Sequence, residues 1–206
     1  MNNPNIAVVD YNVGNIRSVL NAIKSLGYKK VNVTSKLTEL KQADLLILPG
    51  VGAFDQCIKN LRKLELDLIL NEVVVSNKKP ILGICVGMQI MATFSEENGV
   101  HEGLNWIPGE VKKIIAEPIF KVPHVGWNEV DFKNKNILFS RISYEPNFYF
   151  DHSYHYCCDK KYEIAQCKYG TDITAAIAKD NIFGVQFHPE KSHNTGLRLI
   201  KGFLEQ

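Results

Sequence analysis

The stretch Pro80–Ala92, PILGICVGMQIMA, decides how this chain folds. Ile81, Leu82, Gly83 and Ile84 form a short apolar run that reads as a buried strand, and the sequence from Val86 onward reads as a helix. Cys85 therefore falls on the junction. A turn this sharp would make bulky side chains two residues to either side of it collide, and those positions are Gly83 and Gly87. G-x-C-x-G is the spacing of a nucleophile elbow with a thiol in place of a hydroxyl. A thiol at a helix N-terminus is favoured as the thiolate, the form that attacks. The same spacing also suits a small buried cysteine in an ordinary βα turn.

Upstream of this stretch the pattern alternates between short apolar runs and helical periodicity. Ile6 to Val9 reads as a first buried strand, followed by a turn at Asn12 to Asn15 and a helix with Ile16, Val19, Leu20, Ile23 and Leu26 on one face. Val31 to Val33 and Leu45 to Leu48 read as further strands, with short helices over Leu37 to Lys41, Phe54 to Leu64 and Leu66 to Val75. Leu45 to Leu48 is apolar on both faces, which places it inside a parallel sheet. The order predicts an α/β fold with a doubly wound, largely parallel sheet, whose ligands sit at the carboxyl ends of the strands.

Downstream of Gly99 strand-like pieces succeed one another: Glu110 to Ile115, Asn128 to Phe132, Phe148 to Tyr154, Glu163 to Cys167, Ile173 to Ala178 and Ile182 to Phe187. Additional antiparallel strands in the C-terminal half are the economical reading. A closing helix puts Leu197, Ile200, Phe203 and Leu204 on one face. No repeat, low-complexity tract or linker separates the two textures, so residues 1–206 are expected to form one domain.

Composition narrows the function. With 45% hydrophobic and 22% charged residues among 206, the chain has enough apolar material for one filled core. A formal net charge of +2, without a basic stripe interleaved with aromatics, gives no reason to expect nucleic acid. No apolar run is long enough for a bilayer and the first residues lack signal-peptide character, so a cytoplasmic protein without membrane contact is expected. Five cysteines, an odd number without a pairwise framework, point to free thiols.

Three segments come directly after predicted strands and should meet at one sheet edge. Cys85 is the first; Phe187-His188-Pro189-Glu190, after the apolar Ile182 to Val185, is the second. A thiol nucleophile needs a base, and the base needs a group to hold its ring. His188 and Glu190 can supply both, although His-Pro-Glu taken alone reads first as a surface turn. The third is Pro49-Gly50-Val51-Gly52, whose glycines let backbone N–H groups turn toward a neighbouring oxyanion, or simply make a βα turn. In Asp151-His152-Ser153-Tyr154-His155, alternation along a strand points His152 and His155 in different directions, so no metal site is expected.

Taken together, Ile84-Cys85-Val86-Gly87-Met88-Gln89 and Phe187-His188-Pro189-Glu190-Lys191 make the chain similar to class I (triad) glutamine amidotransferases. Asp10-Tyr11 through Gly14-Asn15, Pro49 to Phe54, His124-Val125-Gly126-Trp127-Asn128 and Phe148 to Tyr154 resemble the glutaminase subunits of imidazole glycerol phosphate synthases, and the resemblance spans nearly the whole chain. It implies that Cys85 attacks the side-chain amide of glutamine, His188 passes the proton to the leaving ammonia and Glu190 orients His188. It implies N–H groups around Val51 and Val86 as the oxyanion hole, and Gly52, Gln89, His152 and Ser153 as the grip on glutamine. Asn12, Asn15, Trp127 and Lys191 match positions that face a synthase (cyclase) partner, giving a heterodimer in histidine biosynthesis. No cofactor is implied.

Several positions depart from that pattern. Asp151 stands where an aliphatic residue is usual, Asn12 replaces a common glycine, and Val86 and Val125 replace leucine and methionine. These differences leave open a paralogous subunit that supplies ammonia to an enzyme modifying surface polysaccharides or nucleotide sugars. A thiol hydrolase acting on γ-glutamyl compounds would share the elbow and the histidine. A non-catalytic scaffold would have no use for Cys85, His188 and Glu190 together.

Overall fold

The computed structural model describes residues 4–133, 135–143 and 146–206. Its centre is an eight-stranded sheet formed by β1 (Ile6–Val9), β2 (Val31–Thr34), β3 (Leu45–Gly50), β4 (Ile81–Cys85), β9 (Asp131–Phe132), β12 (Glu163–Lys168), β13 (Asp172–Lys179) and β14 (Ile182–Val185), in the order β2-β1-β3-β4-β14-β13-β12-β9. From β2 to β14 neighbouring strands are parallel; from β14 to β9 they are antiparallel. Every residue of β1, β3, β4 and β14 is buried, as strands covered on both faces must be.

One expectation changes here. The sequence pattern groups Ile182 to Phe187 with the antiparallel strands, and β14 is antiparallel to β13 on one side, but on the other it lies parallel to β4, with Val185 opposite Ile84. Its residues are apolar on both faces, like those of the other central strands, and burial decides its neighbour. The consequence is functional: the chain leaving β14 emerges beside Cys85.

Helices α1 (Ile16–Ser25), α2 (Leu37–Gln42), α3 (Phe54–Lys63), α4 (Leu66–Leu70) and α6 (His193–Leu204) flank the parallel strands. Helix α3 buries Phe54, Cys57, Ile58 and Leu61 at helical spacing, and each large apolar side chain so buried contributes about 1.5–3 kcal/mol. The expected helix from Leu66 to Val75 is interrupted: α4 passes into a π-helical turn, Asn71–Ser76. The helix after Cys85 is shorter than its periodicity predicts, since α5 covers only Val86–Gln89. The next three carbonyls are taken from outside, Ile90 accepting from Leu104 N–H, Met91 from Trp106 N–H and Ala92 from Asn105 N–H.

Two small sheets cap the carboxyl edge. One pairs β8 (His124–Glu129) with β10 (Asn147–His152); the other, in the order β11-β7-β5-β6, joins β5 (Phe94–Ser95), β6 (His101–Glu102), β7 (Gly109–Lys113) and β11 (Tyr154–Cys158). The strand expected over Phe148 to Tyr154 is thus two strands in different sheets that break at Ser153, and Asn128 to Phe132 likewise divides between β8 and β9. A buried cluster runs from Ile6 on β1 to Phe203 on α6, through both halves of the sequence.

Candidate active site

The elbow begins with sterics. Cys85 has φ 55° and ψ −116°, a conformation that costs a residue with a Cβ about 1–3 kcal/mol. Packing holds it there. A Cβ on Gly83 would stand 2.6 Å from the Gly87 carbonyl oxygen, and one on Gly87 would overlap the Leu48 carbonyl of β3. The two glycines of the motif therefore let the turn close against β3 and hold up the sulfur.

His188 is placed by the segment that leaves β14. Its N–H donates to the Tyr149 carbonyl of β10 (2.8 Å), and Ser192 Oγ donates to the His188 carbonyl (2.6 Å). The Pro189–Lys191 segment forms a 3-10 turn that brings Glu190 back beneath the ring, where His188 Nδ1 donates to Glu190 Oε1 at 2.8 Å. This bond fixes the tautomer and leaves Nε2 for the nucleophile. Both side chains are almost wholly buried. Burial opposes the charged imidazole, yet the Cys85 sulfur and the Glu190 carboxylate outweigh it and raise the His188 pKa.

Cys85 and His188 open onto a cleft of about 280 Å³, at the small end of ligand pockets. Val51, Gly52, Val86 and Gln89 line it together with Asp151, His152, Ser153 and Lys191. The sheet edge therefore gathers the expected nucleophile, base, oxyanion and substrate-facing positions. In the loop after β3, Gly52 has φ +90°, Tyr11 Oη donates to the Pro49 carbonyl (2.5 Å) and Cys57 Sγ donates to the Val51 carbonyl (3.6 Å). Those two bonds pin the peptides on either side of the Gly50–Val51 unit.

Details of the grip differ from expectation. Both ring nitrogens of His152 are already used, Nδ1 donating to the Tyr154 carbonyl (2.8 Å) and Nε2 facing His124 Nδ1 (3.0 Å). With burial lowering its pKa to about 3, His152 is neutral and shapes the cleft wall, with no ring nitrogen free to bind. Nothing in the sequence marks Glu97, because Glu96-Glu97-Asn98-Gly99 reads as a solvated turn. It lines the cleft with one carboxylate oxygen anchored by Phe54 N–H (2.8 Å), and burial raises its pKa.

The remaining residues lie outside the cleft, apart from Lys191, which reaches its rim. Asn12, with φ 63°, and Asn15 belong to the β1–α1 turn, whose Gly14 packs on the Pro49 side chain. Trp127 on β8 is half-exposed and stacks on His193 at 5.0 Å, while Lys191 Nζ sits 5.2 Å over the Tyr149 ring. Tyr149 and His193 thus join the surface expected of Trp127 and Lys191, which no spacing in the sequence reveals. Among the described residues no group of three or more His, Cys, Asp or Glu could hold a metal ion. The five cysteines are free, and no helix among the described residues is long and apolar enough to cross a membrane.

Comparison with known proteins gives the family. The family model for class-I glutamine amidotransferases matches residues 7–206. The chain is 44% identical to the imidazole glycerol phosphate synthase subunit HisH 2 of Vibrio vulnificus, covering 97% of this chain and 94% of that one. It is also 44% identical to subunit HisH of Pelagibacter ubique (97% and 99% covered) and to HisH 2 of Pseudomonas aeruginosa (97% and 98%). Among solved structures, a glutamine amidotransferase superposes with a TM-score of 0.75 at 18% identity (98% and 97% covered), and a glutamine amidotransferase from Thermotoga maritima with 0.63 at 16% (100% and 84%). With its elbow, its sheet and this match over nearly the whole length, the chain belongs to the class-I glutamine amidotransferases.

Proposed function

We propose that the cleft hydrolyses L-glutamine to glutamate and ammonia, and that the chain is the glutaminase subunit of an imidazole glycerol phosphate synthase in histidine biosynthesis. The observation that carries the reading is the buried His188–Glu190 pair beside a thiol on a strained elbow, all opening onto one small cleft. The thiolate of Cys85 adds to the side-chain amide carbon, and backbone N–H groups of Val51 and Val86 stabilise the resulting oxyanion. His188 Nε2–H protonates the amide nitrogen, the C–N bond breaks and ammonia leaves a γ-glutamyl thioester. Water then attacks the thioester while His188 takes its proton; glutamate departs and the thiol is restored. Glu190 holds the ring and stabilises the imidazolium.

Substrate recognition is set by the lining. Glu97 and Asp151 are carboxylates suited to the α-ammonium group, and Gln89 and Ser153 offer neutral polar contacts. Gly52 supplies backbone without a side chain beside the substrate, and His152 shapes the wall from behind. Half-exposed Val125 and Trp127, with Lys191 and the Asn12–Asn15 turn, form the surface on which a cyclase partner would seat as a heterodimer and receive the ammonia. Free thiols suit a reducing cytoplasm. Asp151 favours a second reading, a subunit feeding an enzyme that amidates a nucleotide-linked sugar, since an extra carboxylate lines the cleft. The test is the partner that co-purifies from native cells together with the acceptor it consumes: a barrel cyclase supports the first reading, and a sugar-modifying enzyme replaces it with the second.

A further inference from the structure

The Cys85 sulfur has a neighbour that belongs to neither the base nor its orienting group. Gln186, one residue past β14 and fully buried, places its Nε2 3.9 Å from Cys85 Sγ. Its orientation can be derived from the bonds around it. Gln89 Nε2 lies 2.9 Å from the Tyr154 carbonyl and 3.0 Å from Gln186 Oε1, so both of its N–H bonds are spent on acceptors. Gln186 must therefore present oxygen to Gln89 and its amide N–H to the sulfur. The Tyr154 carbonyl that anchors Gln89 also accepts from His152 Nδ1, which leaves His152 Nε2 to accept from His124 Nδ1. His124 Nε2 in turn accepts from Asn128 Nδ2, whose other proton goes to the Lys168 carbonyl. Each amide and each imidazole in this chain of bonds is locked in one state.

We propose that Gln186 is a third functional group on the nucleophile: its amide N–H holds the Cys85 sulfur in line and favours the thiolate. The proposal rests on Cys85 being the nucleophile but does not depend on which substrate it attacks. A hydrogen bond to a charged acceptor stabilises more than one to a neutral acceptor, so the contact tightens when the thiol ionises. Three other titratable groups bear on the sulfur: His188 on its open side, and Tyr11 and Cys57 behind it. Glu97, Asp151 and Lys191 line the same cleft.

The test is the pH profile of Cys85 alkylation by iodoacetamide, read by peptide mass in wild type, Gln186→Glu and Gln186→Met. Cys57, Cys158 and Cys167, all pushed up to about 12 by burial, are slow competitors. Gln186→Met keeps the unbranched shape without a donor, and its alkylation at neutral pH should fall about tenfold, the low end for a bond to a charged acceptor. Gln186→Glu should fall further, with the thiolate titration moved to higher pH. A merely structural role would lower the melting temperature and leave the alkylation profile in place. Unchanged profiles in the folded variants overturn the proposal, and Gln186→Met alone decides it if the buried carboxylate prevents folding. Unreactive Cys85 in wild type would instead contradict the proposed nucleophile itself.

Discussion

Glu190 spends one carboxylate oxygen on His188 and keeps the other, Oε2, buried without a partner among the described residues. Such an arrangement serves orientation and charge more than bonding, which sets an order among variants. His188→Ala removes the proton shuttle and should cost nearly as much glutaminase activity as loss of the thiol, because base and nucleophile act as one unit. Glu190→Gln leaves both reacting groups and should cost less; steady-state glutamate release shows whether that order holds, and an equal loss would mean that Glu190 does more than orient. Asp151 acts on binding instead. It lines the cleft from β10, so Asp151→Val should change KM for glutamine more than kcat, and kinetics identical to wild type would remove it from the substrate's surroundings.

Among the elements, the elbow and the strand beside it carry the site. Gly87→Ala would push a Cβ into the Leu48 carbonyl, and neither backbone can yield without displacing β3 or the turn. Overpacking of this kind costs about 1–3 kcal/mol, so thermal melting should show a clear loss, and an unshifted melt would mean the contact relaxes freely. How much of this is legible in the sequence depends on range. Gly83, Cys85 and Gly87 announce the elbow because its sterics are local, and the all-apolar runs of β1, β3 and β4 announce a parallel sheet for the same reason. The length of α5 is not legible, since it is ended by N–H groups of Leu104, Asn105 and Trp106, far along the chain. Nor is the placement of β14 next to β4, or of Glu97 in the cleft, because tertiary packing decides both.

For the molecule as a whole, buried histidines set its response to acid. Burial lowers His124 to about 4 and His152 to about 3, and it lowers His155 as well. As pH falls below about 6.5 the unfolded chain binds protons that the folded one refuses, so stability is lost at about 1.4 kcal/mol per pH unit each for His124 and His152, and His155 acts in the same direction. His188 has the opposite sign: its raised pKa contributes stability that is complete below about 6.5 and is lost only as pH rises through its folded value. Chemical denaturation from pH 7 to pH 4 should thus show a falling free energy, and a flat profile would mean these rings are protonated in the fold. The partner acts at the same scale. With Pro49 and Val51 carbonyls pinned by Tyr11 and Cys57, and Gly50 paired opposite Cys85 at the end of β3, the Gly50–Val51 peptide must leave that pairing to turn its N–H inward, and an absent oxyanion donor slows hydrolysis roughly a hundredfold to a thousandfold. The isolated protein should be a poor glutaminase, activated by a synthase with its acceptor bound; equal rates in both states would mean that the hole is already formed. The most direct test is glutamate release from glutamine by the protein seated on its synthase, wild type beside Cys85→Ala. The account predicts turnover by the first and none by the second with partner binding intact, and release by Cys85→Ala at near the wild-type rate would contradict it.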